Sequence, residues 1–245
     1  DLHTHMNAML PSDCLIALGL VHQVRYPLYY IKKLGLTLSK KQEEEIYKQR
    51  EEVEKLFVDS DLKGKYLTRK IDDNTFINFA DFILNNLENA TENLKKISKS
   101  LEILKDGQAV FTNLEKLYIY RYVFAKGTES KEKIELNSNL IKQIPDKDIK
   151  TITLKMLEDK QKESPYCKNN LRQDKLLWIA REYQRQGIYY VEIADTVLTK
   201  KGIPAIELLE ELDEIMPQIE KETGVKIRFL VAIRRIPLTI IKDNL

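Results

Sequence analysis

Asp1-Leu2-His3-Thr4-His5 opens the chain, and one residue separates its two histidines. On a β-strand, residues at positions i and i+2 lie on the same face of the sheet, so the two imidazoles share a side. Two imidazoles on one face can share a divalent metal ion. If the strand lines a barrel, both residues lie near its C-terminal mouth, where barrel enzymes carry their chemistry. The alternative is a chance pair at the start of the chain.

The residues that follow this pair predict a turn and a short apolar helix. Residues 3–19 read HTHMNAMLPSDCLIALG. Pro11, Ser12 and Asp13 supply the turn and candidates for the helix N-cap. Residues 15–19 are apolar and are typical of a short buried helix that ends there.

Two apolar segments near the other end of the chain predict parallel strands. Residues 187–194 read GIYYVEIA, and residues 225–237 read VKIRFLVAIRRIP. Between them, apolar residues recur at helical spacing, with Pro204 in the first turn and Gly224 at the C′ position. The pattern therefore predicts a strand, a helix and a parallel strand. A further amphipathic helix is predicted over residues 171–186.

Together these segments resemble the adenosine deaminase family. The family opens with H-x-H-[LM]-[DN]-[GA]-x-[LI], and residues 3–10 read HTHMNAML. Its second strand is usually V-x-Y-V-E-[VI]-R, which residues 189–194 resemble with YYVEIA. Its third strand ends in M-R-H-x-P, which residues 233–237 resemble with IRRIP. The resemblance implies an α/β fold, the N-terminal part of a (β/α)8 TIM-type barrel with a large, mostly helical insertion between the first and second barrel strands.

The resemblance also implies an enzyme and a metal site. The expected reaction is zinc-dependent hydrolytic deamination of adenosine or an adenine nucleotide, ATP among them, to the inosine product. His3 and His5 are expected to hold the zinc ion as neutral imidazoles. The metal lowers the pKa of a bound water, which attacks C6 of adenine. Glu192 is a conceivable further ligand, although a glutamate in mid-strand is more often a polar residue paired inside a barrel.

Several parts of the family's site have no counterpart among these residues. No histidine follows His22, and no H-A-G-E segment, which carries the family's catalytic Glu, is present. A catalytic zinc normally has three protein ligands and an open position. Only three barrel strands are recognisable, whereas a barrel of this type needs eight. We therefore expect residues 1–245 to belong to a larger polypeptide with its general-acid Glu beyond Leu245, and to be inactive alone.

Departures from the family pattern bear on the substrate. Asn7 stands where nucleoside deaminases usually have Asp near the ribose 5′ end, which removes a charge that would repel a 5′-phosphate. Arg234 and Arg235 stand where the family has Arg-His, and arginine is a good phosphate ligand. These three residues are the candidate substrate-binding residues for a purine nucleotide. Sequence drift without a change of substrate is the alternative, and Ala194 stands where the family usually has Arg.

The middle of the chain departs from an ordinary deaminase because far more than one strand–helix–strand unit separates His5 from Tyr190. We expect residues 1–34 to hold the first barrel strand and helix, 35–168 to form the helical insertion, and 169–245 to hold the barrel helices with the second and third strands. Helices are predicted over residues 40–57, 78–104, 113–124 and 146–163, with a loop over 128–145. Apolar stripes on these helices predict subunit contacts in a homo-oligomer.

A deaminase domain with a large helical insertion resembles two bacterial defence groups. One is the deaminase component of the RADAR antiphage system, which acts beside an ATPase partner. The other is the CRISPR-associated deaminase with an N-terminal ligand-sensing domain. The insertion favours the RADAR-type component, and an ATPase partner and a role in antiphage defence follow from that resemblance.

Composition limits the remaining possibilities. The 245 residues carry a net charge of +2, which gives no general attraction to nucleic acid. The two cysteines, Cys14 and Cys167, do not make a disulfide framework, which is typical of a reducing cytoplasm. No apolar run is long enough to predict a membrane span. We therefore expect a cytoplasmic protein with no membrane partner.

Two other function classes stay open. The PHP phosphoesterase family also opens with D-L-H-T-H and has a Ser-Asp pair downstream. It needs a T-D-H segment, whereas the only later histidine here, His22, has no acidic neighbour in the sequence. The other class is a non-catalytic scaffold derived from a deaminase, in which the helical insertion carries the function.

Overall fold

The computed structural model describes residues 3–5, 9–57, 76–101, 123–124, 129–195 and 203–231. The chain divides into two compact units. The sheet unit comprises residues 1–11 and 172–245, and the helical unit comprises residues 12–171. The helices and strands, in chain order, are β1 (His3–His5), α1 (Ser12–Val21), β2 (Arg25–Pro27), α2 (Leu28–Lys33), α3 (Lys40–Phe57), β3 (Phe76–Asn78), α4 (Phe79–Leu84), α5 (Leu87–Leu101), α6 (Ser138–Ile141), α7 (Lys147–Asp159), α8 (Leu171–Arg185), β4 (Tyr190–Asp195), α9 (Ile203–Thr223) and β5 (Lys226–Val231).

A three-stranded parallel sheet lies in the sheet unit. Its strand order is β1-β4-β5, and each neighbouring pair is parallel. The predicted strand, helix and parallel strand are confirmed by β4, α9 and β5. The described residues are thus mixed α/β and mostly helical. Their one parallel sheet has fewer strands than the eight of a barrel, so the (β/α)8 barrel stays a prediction.

Helix α9 packs an apolar stripe against β5. Its buried side chains recur every three or four residues, as expected for one helix face: Leu208, Leu212, Ile215 and Ile219. Pro204 is the second residue of the helix, and Gly224 follows the last one with φ of 70°. That backbone conformation is one that glycine adopts without steric cost, so Gly224 ends the helix as predicted.

Helices α8 and α9 are joined by two ion pairs. The Arg172 guanidinium binds the Glu211 carboxylate, and Arg181 Nε lies 2.7 Å from Glu222 Oε1. Both pairs are partly shielded from solvent, so they help to fix the register of one helix along the other more than isolated surface pairs would.

Helix α1 belongs to the helical unit, whereas the sequence analysis placed it with the first strand in residues 1–34. All of its residues from Cys14 to Leu20 are buried. A helix that is apolar on every side has to be enclosed by other elements, and α1 contacts α4, α5 and α7. The two compact units divide after residues 11 and 171. The division predicted from the sequence, after residues 34 and 168, stays a prediction.

An aromatic cluster fills the space beside α1. The ring of Tyr26 lies 5.2 Å from the ring of Phe79 and 6.1 Å from that of Phe124, centroid to centroid. Gly19 of α1 permits this packing, because a Cβ at that position would lie 2.7 Å from the Phe124 ring. The antiparallel pair β2 and β3 holds Tyr26 in place by pairing Arg25 with Asn78.

The helical insertion follows the predicted pattern in part. Helix α3 has the predicted bounds. The helix predicted over 78–104 is two helices, α4 and α5, separated at Asn85 and Asn86. Asparagine side chains compete with helical hydrogen bonding, and Asn86 Nδ2 donates instead to the carbonyl oxygen of Thr37 at 2.8 Å.

The remaining predicted elements of the insertion also differ in detail. Helix α7 ends at Asp159, before the predicted end at 163. The predicted loop over 128–145 contains the short helix α6, whose N-cap Asn137 accepts a hydrogen bond from the Leu140 amide. The helix predicted over 113–124 lies outside the described residues except for its last two, which are buried.

The carboxyl group of Asp13, in the first turn of α1, gives a pH-dependent prediction. Burial raises its pKa, and the nearby carboxylates of Asp146 and Asp148 raise it further. A raised pKa means that folding disfavours the ionised form, so this group opposes folding at neutral pH and ceases to do so below its unfolded pKa of about 3.9. We expect Asp13→Asn to stabilise the protein at pH 7 by less than about 1 kcal/mol, because solvent screens the charges and the α1 dipole favours an acid there.

Thermal unfolding of the wild type and Asp13→Asn between pH 3 and 7 checks this prediction. The stability gain of the variant should shrink as the pH falls. The exposed residue Glu163, changed to Gln, removes the same charge elsewhere in the helical unit and should show no such gain. A variant less stable than the wild type at pH 7 would contradict the prediction.

Candidate metal centre

Strand β1 places both histidines of the opening motif on one face of the sheet. Residues alternate between the faces of a strand, so His3 and His5 share a face and Thr4 lies on the other. The register pairs His3 with Glu192 and His5 with Ala194. The predicted strand is confirmed, whereas the side chains of the two histidines lie outside the described part of the chain and their metal binding stays a prediction.

The two faces of this sheet differ in polarity. On the face away from the histidines, Val191, Ile193 and Ile227 are at most 2% exposed. We define the histidine face as His3, His5, Tyr190, Glu192, Ala194, Lys226, Arg228 and Leu230. Its described side chains are mainly polar and, apart from the buried Ala194, at least partly exposed. Parallel sheets are usually covered on both faces. A polar face on a parallel sheet is therefore a candidate site for ligands.

Tyr190 and Glu192 interact on the histidine face. The Tyr190 hydroxyl donates to Glu192 Oε1 at 3.0 Å. This hydrogen bond is the largest of the causes that raise the pKa of Tyr190 above its usual value. Tyr190 was not among the site residues predicted from the sequence, although Tyr-x-Glu on a strand puts both side chains on one face.

The upper row of the histidine face lies close to the carboxyl ends of the strands. His5, Ala194 and Leu230 are level in the register, and β4 and β5 each end one residue later. Ligands of open α/β sheets bind outside this edge. Ala194, which pairs with His5 in the register, contributes only a methyl group to this row and is buried.

The donor groups of the histidine face fit a zinc ion. Two imidazoles and a carboxylate are ligand types that zinc accepts. The register brings the carboxylate of Glu192 to the strand next to His3. The described side chains, which leave out those of His3 and His5, contain no cluster of three or more His, Cys, Asp or Glu residues that could hold a metal.

The other predicted site residues cannot be placed on this face. Asn7, Arg234 and Arg235 lie outside the described residues. Their role in binding a phosphate stays a prediction. It rests on their closeness in the chain to the strand ends, since Asn7 follows β1 by two residues and Arg234 follows β5 by three.

The third histidine, His22, has an acidic partner in space that the sequence analysis missed. Its Nδ1 lies 3.3 Å from Glu129 Oε1, across 107 positions of the chain. Burial raises the pKa of Glu129, but hydrogen bonds with Lys133 and His22 outweigh burial and hold the pKa below its usual value. This pair ties residues 129–133 to the end of α1, so its role in the helical unit is structural.

A separate cleft of about 580 Å3 opens in the helical unit. One wall carries the Arg25 guanidinium, 4.1 Å from the centroid of the Phe76 ring. Its charged lining includes Glu45, Glu52 and Lys131. Both signs of charge occur, so the cleft favours no single class of ligand.

Comparison of the chain with protein-family models, with curated proteins and with solved structures found no match. No helix among the described residues is both long enough and apolar enough to cross a membrane. The resemblance to adenosine deaminases therefore rests on the quoted motifs alone.

Proposed function

We propose that this chain supplies part of the active site of a zinc-dependent hydrolase that deaminates adenosine or an adenine nucleotide, ATP among them. The observation that carries the proposal is the register of β1, which puts two histidines on the polar face of a parallel sheet beside a carboxylate. The strand order β1-β4-β5 is also the order expected for the first three strands of a (β/α)8 barrel. A role in antiphage defence with an ATPase partner rests on the resemblance alone.

His3 and His5 are proposed to hold the metal through neutral imidazole nitrogens. A zinc ion held there supplies a water of lowered pKa, which is the nucleophile for attack on C6 of adenine near neutral pH. Their place near the carboxyl ends of the strands directs the reaction to that edge of the sheet. The exocyclic nitrogen of the purine leaves as ammonia, and the inosine-type base is the product.

The phosphate preference is proposed to come from Asn7, Arg234 and Arg235. In the chain, Asn7 follows β1 by two residues and Arg234 follows β5 by three. Arg234 and Arg235 carry positive charge, and Asn7 avoids the negative charge of the usual aspartate. A 5′-phosphate is therefore attracted where an ordinary nucleoside deaminase would repel it.

The test is product analysis by mass spectrometry after the full-length protein is incubated with zinc and a mixture of adenosine, deoxyadenosine, AMP and ATP. We expect a gain of about one mass unit on ATP, because replacing an amino group by an oxo group changes the mass by that amount. The variant carrying both His3→Ala and His5→Ala is the matched control and should leave all four compounds unchanged.

The other outcomes separate the competing functions. A gain on the nucleosides alone would keep the deaminase and exclude the phosphate role of Asn7, Arg234 and Arg235. Release of phosphate without a gain in base mass would indicate a PHP-like phosphoesterase. No change in any compound would favour the non-catalytic scaffold.

A further inference from the structure

Glu192 occupies the position next to His3 in the sheet. The register places His3, Glu192 and Arg228 in one row across β1, β4 and β5. Paired residues of neighbouring parallel strands lie on the same face, with their backbones about 4.8 Å apart. Glu192 is therefore the carboxylate nearest to His3 along the sheet, and it is one full row away from His5.

The Glu192 carboxylate has one oxygen left to accept a further hydrogen bond. The hydrogen bond from the Tyr190 hydroxyl occupies Oε1. Arg228 faces Glu192 in the register, but the described residues include no ion pair between them, and the Arg228 guanidinium lies 3.5 Å from the carbonyl oxygen of Ile227 instead. Glu192 is half-buried, so its position is held on one side by Tyr190 and by the strand itself.

A histidine that binds a metal through one ring nitrogen usually donates the N–H of the other to a carboxylate or a carbonyl. This bond fixes the tautomer and the orientation of the ring. From the row His3–Glu192–Arg228, we infer that Glu192 is a positioning residue that accepts the N–H of His3 and thereby orients this ligand toward zinc. The inference rests on the proposed function, because it requires His3 to bind the metal.

The roles within the row follow from this assignment. Tyr190 donates to one oxygen of Glu192, which leaves the other oxygen for His3. Replacing Glu192 removes the acceptor and lets the His3 ring rotate, whereas replacing Tyr190 only loosens the acceptor. The expected loss of zinc affinity is therefore larger for Glu192→Ala than for Tyr190→Phe.

The experiment measures the zinc affinity of the full-length protein by competition with a chelator, and the visible absorption of the protein loaded with cobalt(II). We expect Glu192→Ala to weaken zinc binding by about 10- to 100-fold, the usual effect of losing such a partner. Glu192→Gln keeps an oxygen acceptor and should lose less. The cobalt bands should keep their positions in both variants, because the metal ligands themselves are unchanged.

Glu214→Gln is the control, because Glu214 is exposed on α9 in the same unit and the change removes the same charge. A zinc affinity of Glu192→Ala equal to that of this control would overturn the inference. A shift of the cobalt bands in Glu192→Ala would also overturn it, since Glu192 would then be a metal ligand. Tyr190→Phe gives a second test that leaves Glu192 itself intact.

The dependence of zinc binding on His3, His5 and Glu192 distinguishes a failure of this inference from a failure of the proposed function. If its zinc binding does not depend on His3 and His5, the proposed function fails and the inference fails with it. If zinc binding depends on both histidines but not on Glu192, the positioning role alone fails.

Discussion

Replacing either His3 or His5 by alanine is expected to weaken zinc binding by the full-length protein by about 100-fold. Protein sites with four zinc ligands contribute about 10–16 kcal/mol of apparent binding free energy, which is on the order of 3 kcal/mol for each ligand. Losing one imidazole therefore removes about 3 kcal/mol, which corresponds to a loss of zinc affinity on the order of 100-fold. Deamination should be lost in parallel, because the same metal supplies the nucleophilic water.

His22 offers a matched control for these two changes. It is the only other histidine in the chain, it is buried in the helical unit, and its ring contacts Glu129. His22→Gln keeps a side chain that can hydrogen-bond and should leave zinc affinity unchanged, as measured by competition with a chelator. An equal loss of zinc in all three variants would mean that the metal site has been misassigned.

The parts of the fold set by local periodicity were predictable. Helix α3 and the sequence β4, α9, β5 follow from the spacing of apolar residues and from glycine and proline at their ends. The place of α1 was not, because its residues are apolar on every side. The sequence of such a helix indicates that the helix is buried, but it does not indicate which elements surround it.

Contacts between residues that are far apart in the chain could not be predicted from the sequence. The break at Asn86 depends on the carbonyl of Thr37, and the pairing of His22 depends on Glu129. In both cases the partner lies tens of residues away in the chain, and no local pattern marks it. The spacing of apolar residues alone favoured a continuous helix through Asn86.

The candidate site was predictable to a similar degree. The spacing of His3 and His5 predicted that they share a face, because strand geometry alone decides that. Their neighbours were not predictable, because the register between β1 and β4 aligns residues from opposite ends of the chain. The positioning role of Glu192 consequently depends on the structure and not on the motif.

The burial of the helical side chains limits which apolar residues could make the predicted contacts between subunits. The apolar residues of α4 and α5, such as Phe82, Ile83 and Ile97, are buried within the helical unit. Among the described residues, the large apolar side chains that are most exposed on a helix include Tyr47 of α3 and Ile203, Ile206 and Leu209 of α9. The homo-oligomer predicted from the insertion stays a prediction, with Tyr47 as its main exposed apolar residue there.

Gln23→Ala is expected to lower the free energy of unfolding by about 3 kcal/mol. The Gln23 side chain binds both backbone groups of Ile134, each at 2.8 Å, and accepts a hydrogen bond from Asn78 Nδ2 at 2.9 Å. Gln23 is buried, so alanine leaves these partners poorly solvated, at a cost of about 1–3 kcal/mol for a fully buried group. Because Ile134 is only partly buried, water solvates its backbone groups in part, and the total loss of unfolding free energy stays near about 3 kcal/mol.

The backbone conformation of Gln23 leads to a second prediction, which compares the glycine and alanine variants. Its φ of 51° lies in the left-handed region, which costs an ordinary residue about 1 kcal/mol and glycine almost nothing. Gln23→Gly loses the same hydrogen bonds as Gln23→Ala but relieves this strain, so the glycine variant should be the more stable of the two by about 1 kcal/mol. Urea unfolding of the full chain, followed by circular dichroism, measures both, with the exposed Gln143→Ala as the control. If the alanine variant matched the control, Gln23 would not anchor the segment around Ile134 to the end of α1. If the glycine variant were the less stable of the two, the strain at Gln23 would not be the cause of their difference.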